Sequence, residues 1–424
     1  MLNGSFIYIR DFAYTEAGNG NRRVVFDLVN LWIQEAGEGA LAMLLNPVLY
    51  AAIAAVIIAG VLRVKRERRD LRTGIVSPAV ELKSLFGLGI LIGIGLSAII
   101  LAAGIVISSA WIYIISALML LGLITWQFRA LSPALLIPLA AGGLYALYYF
   151  NVTLPSWAPE LPEEAGLIGT ISIIMGLLLF AEGLLITLNA GKKTSARFIR
   201  TPRGLKAGAF FTQRLWLVPL FLLVPMGSLE GLGGWWPVFT FGSFSFSLIA
   251  VPFVIGFQLT VVHDLPAPVI RKAGQEVIWL STLVTVLAIA GYFAPYLFIA
   301  AFSVAFIGRI YLALKLRALC RRSGYHFMNK ERGVMVVDVI PGTPADKLGI
   351  VRGELVSKIN GESVRDEREF YKALQKNRVH CKLEVLNHQG EIRFMQRALH
   401  EGQHHLLGII MVEDRMRSYT SDSA

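Results

Sequence analysis

The sequence predicts an α-helical polytopic membrane domain of about eight or nine spans, followed by a small cytoplasmic α/β domain. Three observations carry that prediction. Of the 424 residues, 55% are hydrophobic and only 16% are charged, against about 25% charged residues in soluble globular domains. Apolar runs close to the roughly 20 residues that cross a bilayer as a helix recur between residues 41 and 314. From about residue 323 the pattern changes to short β-rich runs around one helical stretch.

The expected spans are 41–62, 85–107, 111–128, 131–150, 167–190, 215–229, 240–262, 277–294 and 296–314. Pro295 divides the last apolar run, and 215–229 is short enough for a tilted or partial span. If the spans alternate, the basic segments all lie on one side: Arg63–Lys83, Arg129, Gly191–Arg214, Arg271–Lys272 and Lys315–Arg322. The opposite loops (108–110, 151–166, 228–239 and around Pro295) contain no Lys or Arg and hold Glu160, Glu163, Glu164 and the Trp235–Trp236 pair. The positive-inside rule therefore places the basic loops, and the C-terminal domain with them, in the cytoplasm. The same rule accounts for the formal net charge of +11 without nucleic acid.

Residues 1–40 form a separate N-terminal segment. Within it, 24–35 has the pattern of an amphipathic helix lying on the membrane, and Asn46–Pro47 is placed to break the first apolar run into a re-entrant element. Either feature would leave the N-terminus on the basic side despite an odd number of spans. The layout of a mixed segment, an apolar run and a basic cluster is not that of a cleaved signal peptide. The remaining divisions are a transmembrane domain over 41–314, a basic linker over 315–322, a soluble domain over 323–413 and a flexible tail over 414–424. Cys320 and Cys381 lack metal-ligand spacing, so neither a disulfide framework nor a metal site is expected, and no cofactor is implied.

The soluble domain reads Gly333-Val-Met-Val-Val-Asp-Val-Ile-Pro-Gly-Thr-Pro-Ala345, then Lys347-Leu-Gly-Ile350, Gly353-Glu354 and Ile359-Asn-Gly-Glu-Ser-Val364. Pro344 suits the first turn of a helix, Gly349 its end, and Asn360–Gly361 a type I′ hairpin turn. This order of elements resembles a PDZ domain, with Glu354 standing where that family usually has Asp. The resemblance implies peptide binding by strand addition beside a helix, with a terminal carboxylate held by backbone N–H groups of a glycine loop. The family pattern puts that loop at Gly324, Tyr325, His326 and Phe327. An alternative is Leu407, Gly408, Ile409 and Ile410, because bacterial forms draw the strand from the other end of the chain. The groove helix is expected over Asp366–Lys376, with Phe370, Tyr371 and Leu374 as groove or core residues. The i, i+4 spacing of Phe370 and Leu374 fits core packing.

Glu182 lies inside the fifth span, where a charge costs at least ~2.5 kcal/mol. Its functional reading is an ion, proton or ligand site. Its structural reading is a buried interhelical hydrogen bond, with Gln127, Gln258 or Asn189 as partner, or a protonated carboxyl. His263–Asp264 reads as an interfacial loop pair and His404–His405 as metal-free. The run RVKRERRDLR after the first span is a topology determinant that can also contact anionic lipid.

No HExxH, no membrane GxSG with a His, no room for a trypsin-like domain and no phosphate loop are present, so no enzyme is expected. Many spans, the loop Arg63-Val-Lys-Arg-Glu-Arg-Arg-Asp70 and one C-terminal PDZ domain together resemble the MinJ-type division-site determinants of Gram-positive bacilli. That resemblance implies a scaffold bridging the polar protein DivIVA and the division inhibitor MinD, with contacts to divisome membrane proteins and enrichment at septa and poles. Two other readings are a PDZ-containing regulatory adaptor of a membrane protease or signalling pathway, and a transporter with a regulatory PDZ domain. A cell-elongation phenotype, an accumulated uncleaved regulator, or a solute flux lost in Glu182→Gln would separate the three.

Overall fold

The computed structural model describes residues 20–71, 73–150, 166–202, 204, 206–230, 236–237, 245–322, 327–328, 333–377, 380–398 and 407–412. The membrane domain comprises helices α1 (Gly20–Leu45), α2 (Pro47–Leu71), α3 (Ala79–Leu85), α4 (Leu88–Ala103), α5 (Ser109–Ile124), α6 (Pro133–Tyr149) and α7 (Gly166–Leu185), the last closing in a π turn over Ile186–Ala190. Strands β1 (Ser195–Arg200), β2 (Lys206–Glu230) and β3 (Ser245–Val261) follow, then α8 (Pro266–Ala290) and α9 (Tyr296–Arg322). Among the described residues five helices are long and apolar enough to cross a membrane, with two shorter apolar helices at Ser109–Ile124 and Pro133–Leu147.

The expected helices at 215–229 and 240–262 are instead the two strands of a long antiparallel hairpin, Leu215 opposite Gly256 and Leu223 opposite Leu248. Residues 240–244 lie outside the described residues. The other expected spans each overlap a helix. The hairpin is tolerated because its polar backbone is covered by protein, as unpaired strand edges facing lipid are not. The Phe221 N–H donates to Ser97 Oγ at 2.9 Å, and that hydroxyl donates to Gly93 and Pro219 carbonyls at 2.8 and 3.3 Å. Ile107 N–H donates to the Leu223 carbonyl and Gly256 N–H to the Leu131 carbonyl. Arg129 Nε reaches the Gln258 carbonyl at 3.1 Å.

Close approach needs small residues. A Cβ on Gly89 would meet the Leu217 carbonyl oxygen at 2.5 Å, and one on Gly93 would meet Pro219 at 2.6 Å. Pro219 and Pro252 face each other across the ladder, and the Pro219 carbonyl points outward to Ser97, so the N–H that proline lacks is one on the strand's outer edge rather than one the ladder uses. At about 3.3 Å per residue the 17 residues of β3 reach beyond the ~30 Å hydrocarbon layer. The surplus at the β1 end forms a short three-stranded platform.

The segment expected to lie on the membrane surface is part of α1. There Glu35 is buried against the hairpin, accepting from the hydroxyls of Ser228 and Ser247 and from Leu248 N–H, and Trp32 packs on Trp236. Asn46 ends α1 and caps α2, its Oδ1 accepting from Val48 N–H at 3.0 Å, with Pro47 in the first turn. The break at Asn46–Pro47 joins two helices.

The basic segments gather at one end of the bundle. Arg63 bonds Glu67 and Glu81, Ser195 of β1 donates to Glu67, and Arg214 of β2 donates to the carbonyls of Lys192 and Lys193. The expected linker 315–322 is the last part of α9.

The C-terminal domain is a sheet with helices on one face. Its elements are β4 (Val334–Val339), α10 (Pro344–Lys347), β5 (Leu355–Ile359), β6 (Glu362–Ser363), α11 (Glu367–Lys376), β7 (His380–Leu386), β8 (Ile392–Ala398) and β9 (Ile409–Met411), with strand order β8-β7-β5-β4-β9 and β6 on β5. The turns form as the motif requires: Asn360 and Gly361 have φ of 51° and 87°, and Gly349 has φ of 75° after α10. α11 opens with a reciprocal cap, Asp366 accepting from Glu369 N–H and Glu369 from Arg365 N–H. Glu354, the departure from Asp, accepts from Val351 N–H at 3.0 Å and from Arg393 at 2.7 Å. Its extra methylene lets one buried carboxylate hold both the turn and β8.

Candidate peptide groove and its docking on the membrane domain

Among the described residues β9 is an edge strand of the C-terminal sheet, paired antiparallel to β4 on one side. Its side chains alternate as a strand must. Ile409 and Met411 join the core formed with Phe370, Ala373 and Leu374 of α11. Ile410 and Val412 point the other way, into a cluster with Met335, Val337, Phe327, Phe210 and Ala196.

The loop leading into β9 contains Gly408, at φ of 87°, a backbone region that favours glycine. A Cβ there would lie 2.1 Å from Thr343 Oγ1. The carbonyls of Leu407 and Gly408 are bound by the N–H groups of Ala345 and Ile340. Leu407, Gly408 and Ile409 are thus brought to the head of the edge strand. Gly324, Tyr325 and His326 lie outside the described residues.

Phe327 is not a groove residue. It is fully buried on the opposite face of the sheet, edge-on to Phe210 with centroids 4.8 Å apart, and its carbonyl accepts from Gly208 N–H of β2. It fills the joint between the C-terminal domain and the hairpin platform because a large apolar ring there is sealed from water on both sides. Phe370 and Leu374 are completely buried core residues, whereas Tyr371 is half-buried. Of the three, Tyr371 alone presents surface to a ligand.

The joint is polar as well as apolar. Arg352 makes two bonds to Asp338 at 2.6 and 2.9 Å and two to Thr194 of the membrane domain at 2.9 and 3.2 Å. It also lies over the Phe210 ring at 5.4 Å. Burial raises the Asp338 carboxyl above the ordinary Asp value, with the neighbouring Arg352 opposing that shift.

Cys381 is fully buried in β7, and burial pushes its thiol up to about 12. Since the thiolate is the reactive form, native protein carrying Cys320→Ser is expected to resist maleimide at neutral pH and to label only after denaturation. Rapid labelling of the native protein by mass spectrometry would contradict this packing.

Glu182 is paired. Arg309 of α9 donates Nε and Nη2 to its Oε1 at 3.0 and 2.7 Å, and Ser132 donates to Oε2 at 2.5 Å. Gln127, Gln258 and Asn189, the expected partners, are replaced by an arginine lying inside the 296–314 run itself. The signal was present: one Arg within an apolar span calls for a carboxylate partner. His263 ends β3's loop with Nδ1 buried and without a hydrogen-bond partner, and His404–His405 lie outside the described residues.

The sequence profile of the PDZ domain family matches residues 335–387. The cell division topological determinant MinJ of Bacillus subtilis (strain 168) is 34% identical over 384 residues, covering 90% of this chain and 96% of that protein. The chain belongs to the MinJ family. A probable cell division topological determinant MinJ of Lacticaseibacillus paracasei is 26% identical over 381 residues, covering 87% of this chain and 97% of that one. Among solved structures, the PDZ domain of an SdrC-like protein from Listeria monocytogenes matches 20% of this chain and 93% of that chain, at 20% identity and a TM-score of 0.17. MinJ-family membership supports a role in cell division and fits a PDZ-bearing scaffold better than an enzyme. The MinJ-family match runs across both the membrane domain and the PDZ domain, so the two are one inherited unit.

Proposed function

We propose that this MinJ-family chain is a non-enzymatic membrane scaffold of bacterial cell division, bridging a DivIVA-like polar scaffold and a MinD-like division inhibitor. In this reading the PDZ domain faces the cytoplasm, as the positive-inside rule requires of the end that gathers the basic loops. The protein concentrates at septa and poles and contacts divisome membrane proteins there. A single observation carries the peptide-binding part: an edge strand, β9, starts at a glycine loop and shares its core with α11, the arrangement that strand addition of a terminal or internal peptide needs. The transporter reading loses its motive, because both Glu182 oxygens already have partners.

The test is fluorescence imaging with cell length scored in a deletion strain carrying either the wild-type chain or Tyr371→Glu. Wild type is expected at septa and poles with normal cell length. Tyr371→Glu, which puts charge on the one half-exposed candidate of α11, is expected to leave the protein in the membrane, weaken capture of a DivIVA-like or MinD-like partner by about tenfold, and give filamentous cells. Uniform membrane signal with normal division in the deletion strain would overturn the reading and favour the protease-adaptor alternative.

A further inference from the structure

The platform of β1, β2 and β3 has two faces, set by the alternation of side chains along a strand. Ala196 and Phe210 turn toward the PDZ domain, in the cluster with Phe327 and Val337. Their neighbours turn the other way, toward the end of α2. Phe211 opposes Ser195 of β1 and Thr260 of β3, and directly opposed residues project to the same face. Arg197, two residues along β1 from Ser195, joins them. Ser195 donates to Glu67 of α2, which sets α2 over this face.

Two guanidinium groups share the buried Phe211 ring. Arg66 Cζ of α2 lies 5.1 Å and Arg197 Cζ 5.4 Å from its centroid. Both arginines are half-buried, and contact with a ring leaves their N–H groups unused. Among the described residues Arg66 makes no hydrogen bond or ion pair. Arg197 has one long bond, Nη2 to Thr260 Oγ1 at 3.4 Å, and its Nε is buried without a partner. The other buried or half-buried arginines described in the membrane domain each have a carboxylate: Arg63 has Glu67 and Glu81, Arg214 has Glu81, and Arg309 has Glu182. The acids nearest the pair are engaged elsewhere. Glu67 accepts from Arg63, Ser195 and Ile75 N–H, and Asp70 bonds Arg69. Burial lowers the pKa of Arg197, the charge of Arg66 lowers it further, and Asp70 opposes both. The two cations thus feel each other, with too little negative charge beside them.

Their depth indicates the source of the missing anion. Leu62 ends the apolar run of α2, and Arg66 stands four residues beyond it, about 6 Å along the helix. The layer between hydrocarbon and water is about 5–7 Å deep on each side. β3 gives a matching level: Thr260, opposite Phe211, is followed by Val261 and Val262 before the first ionisable residue, His263.

We propose that Arg66 and Arg197, held on the Phe211 ring, form a binding site for the headgroup phosphate of an anionic lipid in the leaflet on the basic side. Guanidinium forks match phosphate oxygens, and a lipid phosphate supplies at this depth the negative charge that the chain withholds. The site joins segments far apart in sequence, so it belongs to the folded platform and not to the basic run of α2 alone. It makes no use of β9 and stands or falls apart from the peptide groove.

The experiment titrates the detergent-purified full chain with phosphatidylglycerol and resolves the first bound lipid by native mass spectrometry. Arg66→Gln with Arg197→Gln is expected to weaken that binding about tenfold. Lys65→Gln with Arg68→Gln, which removes equal charge from exposed positions of the same helix, is expected to change it less than about twofold. Arg66→Gln alone, at a side chain without hydrogen bonds, is expected to unfold at the wild-type temperature and to bind about threefold more weakly. That variant decides the matter if the double variant does not fold. Equal losses in the two double variants would overturn the proposal in favour of diffuse attraction. Displacement of the lipid by millimolar inorganic phosphate would also overturn it, making the ligand a soluble anion. So would an affinity unchanged by Arg66→Gln with Arg197→Gln, which would leave the pair to an acidic protein segment.

Discussion

Arg309→Leu is expected to destabilise the membrane domain by about 3–5 kcal/mol, the cost of leaving a buried carboxylate without its ion partner. Glu182 is completely buried and Arg309 nearly so, so water cannot take the place of the guanidinium. The pair links α7 to α9, and Ser132 ties it to the start of α6. Because the penalty comes from the orphaned charge, Glu182→Gln combined with Arg309→Leu is expected to recover most of the loss. Thermal unfolding in detergent of the two single variants and the double variant measures this directly. Additive losses would mean that the two side chains do not act as a pair.

The second large effect is expected at Gly408. Valine there must hold a left-handed backbone, at about 1–2 kcal/mol, and its Cβ would meet Thr343 Oγ1 at 2.1 Å and Thr343 Cβ at 2.4 Å. Thr343 cannot simply rotate away, since its hydroxyl donates to the Ile340 carbonyl at 2.6 Å and its Cβ clashes in any rotamer. Gly408→Val is therefore expected to detach β9, abolish peptide binding and open the core that Ile409 and Met411 close. With Cys320→Ser in place, Cys381 should then become labelled at neutral pH while the membrane helices stay folded by circular dichroism. A Gly408→Val protein that keeps Cys381 protected would show that β9 tolerates a side chain at its head.

The two domains were legible in the sequence to different degrees. The PDZ elements announce themselves through backbone chemistry: Pro344 opens α10, Gly349 ends it, and Asn360–Gly361 turns β5 into β6. These residues act locally, so reading them needs no knowledge of what packs where. The hairpin at 206–261 does not announce itself in that way. An apolar run of spanning length is read as a helix because a lone strand in lipid leaves its backbone unpaired. Its strand character depends on Ser97, Leu131 and Glu35, which lie over a hundred residues away and cover the edges. Pro219, Pro225 and Pro252, each poorly suited to a helix interior, were the local warning. The groove shows the same division. The glycine at 408 follows from turn chemistry, whereas the burial of Phe327 follows from Phe210 and Gly208, which nothing near residue 327 encodes.

The long hairpin also constrains how the chain is built. Helices can enter a bilayer one at a time, since each satisfies its own backbone. β2 and β3 cannot, because each depends on the other for its ladder and on α1, α4 and the α5–α6 connection for its edges. Those helices emerge from the ribosome first, and their groups that bond the hairpin lack those partners until β2 and β3 are made. The hairpin then has to enter as a paired unit, since each strand completes the other's ladder. α8 and α9 are the last helices of the membrane domain to be made, and α9 joins α7 through the Glu182–Arg309 pair. A chain halted between residues 200 and 260 thus lacks hairpin partners for Glu35, Ser97 and Leu131, and quality-control proteases of the membrane have a structural reason to remove it.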